Sequence, residues 1–399
     1  MLHLLLYAFF FAQAVLNSIY LMRLMMRESG VLPTALLKVR ARAAPALTYV
    51  RPMKGADETT EACVRSLYLA HSPGQDHARV IYSFESRGDP AVAVVERVAS
   101  ELGERLPTEL VFATIDAANP KMANCIEAYE RAATEWVALL DNNVEVPQLG
   151  YVPQLERYCV PSVRAASGFI HGVLASADAS ARLEYATLYS FCAKGALLAE
   201  TFGESPLIGK VMLVHKPSLE ELGGLRRYKD TFSEDGEIGL ELARRHGTAA
   251  VPLMHVEAPQ RIKSTSLEAV GDRFARWALY RKLRAPLLFW LEPLLYPLTI
   301  TAACVLFSQT AVEQMFFVAV HAAFVCAEAH FAHRAQYSHA PVKLSYAEVL
   351  CAIVGSNVVL PVIWLKAASE SSVQWKGKSY SVTAQGDMVA AAHHSIHGK

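Results

Sequence analysis

Residues 78–102, ARVIYSFESRGDPAVAVVERVASEL, decide how this chain folds. The first seven, ARVIYSF, are rich in β-branched and aromatic residues and read as a buried strand. Asp89-Pro90 then opens a helix, because Asp caps a helix N-terminus and Pro suits its first position. VAVVERVASEL (92–102) continues with helical spacing. The same unit repeats on either side. LTYVRP (47–52) is strand-like and is followed by the helical TEACVRSLYLA (60–70). ELVFATI (109–115) is a third strand with a helix over 121–133, and EWVALLD (135–141) is a fourth strand. Strands alternating with helices argue for an α/β domain with a mainly parallel, Rossmann-like sheet covered on both faces. Ligands bind such sheets at the carboxyl ends of the strands. Arg51, Glu85 and Asp141 all fall at those ends.

The rest of the chain is apolar enough to need a membrane. Of 399 residues, 53% are apolar and only 19% charged, and the mean hydropathy is positive, which is high for a soluble protein. Residues 2–22 are apolar and carry no charged side chain except His3, a length that spans a bilayer. Basic residues follow that stretch, at Arg23, Arg27, Lys38, Arg40 and Arg42, rather than preceding it as in a cleavable leader. They place the following domain in the cytosol by the positive-inside rule. Residues 264–284 mix Arg273, Arg276, Arg281, Lys282 and Arg284 with Phe274, Trp277 and Tyr280 and read as an amphipathic helix on an anionic surface. Apolar segments follow at about 286–307, 311–331 and 344–365, the first interrupted by Glu292, Pro293 and Pro297. One of the three is open to a re-entrant or interfacial reading. The apolar 181–199 stretch suits either core packing or contact with the interface.

The expected organisation is therefore a transmembrane helix at 1–24, the α/β domain at 45–262 and an interfacial helix at 263–285. Transmembrane segments at 286–366 and a polar tail at 367–399 complete it, the last twenty residues reading as disordered. Lys366, Lys376 and Lys378 would favour a C-terminus on the cytosolic side, against the count of spans. Lys+Arg and Asp+Glu balance at 38 each, so no global field favours nucleic acid. The seven cysteines (63, 125, 159, 192, 304, 326 and 351) form no CxxC pair, which argues against a disulfide or zinc framework.

Four polar motifs lie between the membrane segments: Glu85 in SFESRGDP, Asp141 in ALLDNNVEVP, Asp235 in FSEDGEIG, and Arg273, Arg276 and Trp277 in RFARW. With RPMKG (51–55), NPKMAN (119–124) and WKGKSY (375–380), this series resembles the processive and lipid-directed inverting glycosyltransferases. It is most similar to the ceramide glucosyltransferase family and its bacterial relatives, over roughly residues 1–380. The resemblance implies a GT-A nucleotide-diphospho-sugar domain with one N-terminal and about three C-terminal transmembrane or interfacial helices. It implies a UDP-sugar donor, ceramide or a similar membrane lipid as acceptor, and an integral multi-pass protein of a bacterial inner membrane. A hopanoid or diacylglycerol acceptor, a polysaccharide synthase and an inactive lipid-binding relative stay open.

The resemblance also assigns residues. Asp235 matches the catalytic base, with Glu234 before it. On residues alone, SEDGE ahead of IGLELARR is equally an acidic helix start. Arg51, Lys54, Glu85, Lys121, Asn124, Asp141, Arg273, Arg276 and Trp277 fall at donor and diphosphate positions. Glu85 stands where the family generally has Asp, facing the uracil ring; Asp89 reads instead as a helix cap. RFARW matches (Gln/Arg)-x-x-Arg-Trp, and a membrane-surface helix is compatible with the same residues. A divalent metal, Mg²⁺ or Mn²⁺, would bridge the diphosphate through Asp141 and Asn143, since both ions take hard oxygen ligands. Such sites usually pair two carboxylates; here the second position is Asn143, and DNN is also strong turn chemistry.

Overall fold

The computed structural model describes residues 2–30, 45–74, 77–148, 150–337, 340–370, 372–375, 378–383 and 386–390. Lys38, Arg40, Arg42 and Lys376 lie outside the described residues. Seven strands form one sheet: β1 Leu47–Pro52, β2 Ala78–Phe84, β3 Thr108–Phe112, β4 Trp136–Leu140, β5 Ala165–Leu174, β6 Val211–His215 and β7 Leu253–Ile262. Their order is β3-β2-β1-β4-β6-β5-β7. The first four are mutually parallel, β6 runs antiparallel to both β4 and β5, and β7 is parallel to β5.

The crossovers are the helices Thr60–Leu69, Pro90–Leu102 and Pro120–Arg131. Asp89 caps the second, accepting from Ala91 N at 2.8 Å, as the Asp-Pro start requires. Side chains alternate between two buried faces along each central strand. Tyr49, Val80 and Ala138 enter one core with Val64 and Leu67. Val50, Ile81 and Val137 enter the other with Met122, Ile126 and Leu242. The third strand ends at Phe112 instead of 115, because Thr114 N and Oγ1 turn to the Glu127 carboxylate, at 3.1 and 3.2 Å.

Among the described residues three helices are long and apolar enough to cross a membrane: His3–Glu28, Ala311–Arg334 and Tyr346–Ser369. A fourth candidate is broken. Pro286–Leu295 and Pro297–Phe307 meet at 59°, at the break Pro293 and Pro297 foreshadow. Leu287, Leu288, Leu306, Val312, Met315 and Val362 are large apolar side chains left exposed on these segments, as a lipid-facing surface requires. Residues 179–201 pack into the same bundle. Tyr185, Leu188, Tyr189 and Ala196 are buried with Tyr20, Val325, Ala329 and Ile353. Lys194 donates to Asn17 Oδ1 at 2.9 Å and pairs with Glu328, so the stretch joins the domain to two spanning helices.

Part of the tail expected to be disordered is ordered up to residue 390, and residues 391–399 lie outside the described residues. Strands β8 Ser372–Trp375, β9 Lys378–Val382 and β10 Met388–Ala390 form a small antiparallel sheet. Tyr380 and Met388 bury against Phe232 and Leu279. Phe232 N donates to Gly386 O at 2.8 Å and Met388 N to Asp230 O at 2.7 Å. Two apolar anchors and these backbone bonds suffice to order a segment whose composition alone reads as polar. All seven cysteines are free.

Arg51 is the largest fully buried side chain. Its guanidinium donates to the backbone oxygens of Cys63 at 2.7 Å, Asn142 at 3.1 Å and Val144. It therefore shapes the turn after β4 from below, and this is where the structure places the residue expected at a diphosphate position. Arg51→Met should leave two buried carbonyls and a part-buried one without their donors and cost on the order of 2–4 kcal/mol. Thermal unfolding in detergent would measure this, and an unchanged Tm would contradict the account.

Candidate active site

The site is built where the ends of β1 and β4 meet the helix starts at 120 and 234. Asn119 caps the helix Pro120–Arg131 by accepting from Lys121 N at 3.0 Å and Met122 N at 3.2 Å. Its amide donates onward to Thr231 O at 2.8 Å and Glu234 Oε2 at 3.0 Å. One Asn thus ties the NPK turn to the FSEDG turn, 115 residues apart. Lys121 Nζ then reaches three oxygens, each at 3.0 Å: Asp141 Oδ1, Glu234 Oε1 and Gly209 O.

Asp141 stands just past β4. The antiparallel register pairs Leu140 with Val211, so Lys210 arrives opposite it. Asp141 N donates to Lys210 O at 3.0 Å, and Asp141 Oδ2 accepts from Lys210 Nζ at 2.9 Å. Lys210 Nζ also donates to Asn143 Oδ1 at 3.3 Å. Burial alone would raise the Asp141 pKa, but Lys121 and Lys210 outweigh it and hold the carboxyl down at about 2. Burial likewise would strip the proton from Lys121, yet Asp141 and Glu234 hold its pKa above the ordinary value. Glu234 goes the other way: burial pushes its pKa up, against the pull of Lys121.

Asp235 lies in the first turn of the helix Glu234–His246. Its Oδ2 accepts from Gly209 N at 2.6 Å, and its Oδ1 from Ser233 Oγ and Gly236 N, both at 2.8 Å. Asp235 is thus a helix-start acid whose carboxylate also joins the polar network. Gly209 links the two acids, donating to Asp235 and accepting from Lys121. A Cβ there would stand 2.9 Å from both Asp235 Oδ2 and Lys121 Nζ. Sequence reasoning missed Gly209 and Lys210. The available signal was SPLIGK (205–210), a Pro- and Gly-punctuated loop ahead of an apolar strand.

The remaining candidates sit elsewhere. Asn124 is buried and its amide donates to Met53 O at 3.3 Å, so it braces the RPMKG turn rather than lining a donor cleft. Lys54 pairs with the exposed Glu85 at the rim, beside Asp89, which takes Gly55 N at 2.9 Å. RFARW lies on the helix Leu267–Arg284, started by Ser266, whose Oγ accepts from Ala269 N at 3.0 Å. Arg273 pairs with Glu184, and Trp277 packs edge-on to Phe274 with ring centroids 5.3 Å apart. Burial, then the neighbouring Arg273, lowers the Arg276 pKa to about 10. The contacts between this helix and the acidic turn are made further along. Tyr280 closes over Gly236 so tightly that no Cβ would fit, and Arg284 pairs with Glu237.

Two oxygens that the sequence pairs for a metal, Asp141 Oδ2 and Asn143 Oδ1, converge on one cation, the Lys210 ammonium. These are hard oxygen donors, and the position is one a divalent ion would take on displacing that ammonium. Among the described residues no group of three or more His, Cys, Asp or Glu side chains could hold a metal. One carboxylate and one amide oxygen are thus the protein's donor set here, and a ligand's phosphates would have to complete it.

A glycosyltransferase is the class that this mainly parallel GT-A sheet and its carboxylate–lysine network define. Residues 8–388 match the description of glycosyl transferase family 21, and the chain belongs to that family. Ceramide glucosyltransferase 3 of Caenorhabditis elegans is 20% identical over 362 residues, covering 86% of this chain and 74% of the relative. Among solved structures, the mannosyltransferase of Pyrobaculum calidifontis in complex with GDP-Man and Mn²⁺ is 15% identical. It aligns with a TM-score of 0.47 over 92% of this chain and 98% of its own. The glucosyl-3-phosphoglycerate synthase of Mycobacterium tuberculosis is 14% identical with a TM-score of 0.40, over 58% of this chain and 76% of its own.

Proposed function

We propose that the chain moves a hexose from a UDP-sugar to the primary hydroxyl of a membrane lipid, ceramide first, with inversion at the anomeric carbon. One observation carries this reading. A carboxylate, Asp235, and a cation-lined carboxylate, Asp141, share a network through Gly209 and Lys121. Inverting transfer needs a base on the acceptor side and counter-charge on the leaving diphosphate.

Asp235 takes the proton of the acceptor hydroxyl as its oxygen attacks the anomeric carbon, while the bond from that carbon to the diphosphate oxygen breaks and UDP leaves with the electron pair. Glu234, through Lys121, keeps the two acids in register. Asp141 and Asn143 would hold a divalent ion, which when bound would supply counter-charge to the diphosphate. Lys54, Glu85, Arg276 and Trp277 frame the donor and the membrane side. The three apolar helices support a bilayer-embedded protein, and the ceramide glucosyltransferase relative supports the acceptor class. On this reading the α/β domain faces the cytosol of a bacterial cell and the product stays in the inner membrane.

The test uses the full chain with UDP-glucose, ceramide dispersed in detergent or liposomes, and a water-soluble alcohol such as glycerol. The expected product is a glycolipid that partitions with the membrane, formed at least about a hundred times faster than any soluble glycoside, since remote binding energy drives the chemical step. Equal rates on glycerol and ceramide would sink the lipid reading.

A further inference from the structure

Two ammonium groups stand on the Asp141 carboxylate, and the structure holds them differently. Lys121 Nζ donates to Asp141 Oδ1, Glu234 Oε1 and Gly209 O, each at 3.0 Å. An ammonium has three N–H groups, so Lys121 is fully used and fixed. Lys210 Nζ reaches two oxygens among the described residues, Asp141 Oδ2 at 2.9 Å and Asn143 Oδ1 at 3.3 Å. The second of these bonds is long and weak. The sheet explains why Lys210 is there at all. Leu140 pairs with Val211 across β4 and β6, and Asp141 N donates to Lys210 O at 3.0 Å, which sets the Lys210 stem beside the Asp141 carboxylate. Lys210 thus covers the two oxygens assigned to a divalent ion, on a flexible four-carbon stem that can withdraw.

We propose that Lys210 is a built-in cation that keeps the metal position until the donor arrives, and that it gives up Asp141 and Asn143 for the nucleotide diphosphate as the divalent ion enters. The inference rests on the reading of Asp141 and Asn143 as metal ligands. Charge carries it. A divalent ion placed beside both ammonium groups would be repelled by two like charges at short range. Among the described residues Asp141 is the one carboxylate paired with Lys210, whose side chain is only 14% exposed. Displacing it without a new anion would leave a poorly hydrated ammonium unpaired, which is costly. Diphosphate oxygens supply that anion and also complete the ion's oxygen shell. Donor and ion should therefore bind together, each tightening the other by the same factor.

Full-length protein in detergent, stripped of metal by chelator, would be titrated with Mn²⁺ with and without UDP, free Mn²⁺ being read by electron paramagnetic resonance. Lys210→Met removes the ammonium and keeps an unbranched stem, while Lys210→Arg keeps the charge. The wild type should bind Mn²⁺ weakly alone and at least about a hundredfold tighter with UDP. Lys210→Met should bind Mn²⁺ alone about tenfold tighter than the wild type, and the effect of UDP should narrow by a similar factor, because the competing charge is gone. Lys210→Arg should stay within about threefold of the wild type, since its charge still competes. Melting temperature gives a second readout. Lys210→Met leaves Asp141 short of one partner, so it should melt lower in chelator and gain more from Mn²⁺ than the wild type does. Lys210→Met that binds Mn²⁺ alone no better than the wild type, or Lys210→Arg that tightens as much as Lys210→Met, would overturn the exchange. The metal reading would survive either result, provided UDP still brings Mn²⁺ to the wild type. Adding Asp141→Asn to Lys210→Met should return Mn²⁺ to weak binding; unchanged affinity there would place the ion elsewhere and refute the metal ligands and the exchange together. Mn²⁺ that binds no variant, with or without UDP, would likewise overturn both.

Discussion

Asp235→Asn should bind UDP within about threefold of the wild type and turn over about 10²–10⁴ times more slowly, the usual worth of a positioned general base. The substitution is isosteric. The amide oxygen can keep the bond from Gly209 N, which is the contact that ties this turn to Lys121. On the other side, Ser233 Oγ and Gly236 N both point at Oδ1, and an amide nitrogen there would meet two donors. Ser233 can rotate its hydroxyl to accept instead, so the helix start should persist. A drop in turnover therefore reports lost proton transfer rather than a collapsed turn, provided the melting temperature and UDP affinity hold. Turnover within threefold of the wild type would remove Asp235 from the base position. The neighbouring Glu234 is a poor substitute, because it is buried and already committed to Lys121 and Asn119.

The network around Asp235 was only partly legible in the sequence. The strand ends at Pro52 and Phe84 came directly from apolar runs bounded by Pro, Gly and Asp. The Asp89 cap came from one Asp-Pro dipeptide. These are local signals, carried within a few residues. Lys210 and Gly209 were not legible, because their importance comes from antiparallel pairing between β4 and β6, about 70 residues apart in sequence. Arg51 shows how packing bears on a local signal. A basic residue at a strand end suggests a phosphate contact, but the turn over Asn142–Val144 left carbonyls that needed a donor, and burial decided its use. The hairpin at 378–390 was hidden for a third reason. Its order depends on two side chains, Tyr380 and Met388, finding Phe232 and Leu279 in another part of the fold.

RFARW teaches a related lesson. The motif itself reads as a site, yet Arg273 is spent on Glu184 and Trp277 on Phe274. The helix reaches the acidic turn one to two turns later, through Tyr280 and Arg284. Gly236 makes this approach possible, since Tyr280 occupies the space where a side chain would begin. The membrane-surface helix and the turn that carries the proposed base are thus in direct contact. Any shift of that helix on lipid engagement bears on the turn that carries Asp235.

Asp141→Ala should lower activity by at least about 10³ and make UDP affinity insensitive to Mn²⁺, because it removes the one carboxylate from the proposed metal donor set. In the wild type, excess chelator should weaken UDP binding, and added Mn²⁺ should restore it. The asymmetry follows from the ligands present. With Asp141 gone, Asn143 offers a single neutral oxygen, too little to hold a strongly hydrated ion. The lysines are left in poor balance as well. Lys121 keeps Glu234 and Gly209 O, while among the described residues Lys210 keeps only Asn143. Acidification cannot imitate the substitution, since Lys121 and Lys210 hold the Asp141 carboxyl at about 2. Asp141 therefore stays ionised well below neutral pH, and an acid limb in the pH–rate profile must come from another group. Two titrations of UDP, with chelator and with Mn²⁺, on wild type and Asp141→Ala decide the matter. Wild-type affinity and activity that survive chelation in full would mean that Lys121 and Lys210 supply the counter-charge themselves. Asp141 would then serve to hold those two ammonium groups in place, and its loss would still cost activity but with no change in metal response.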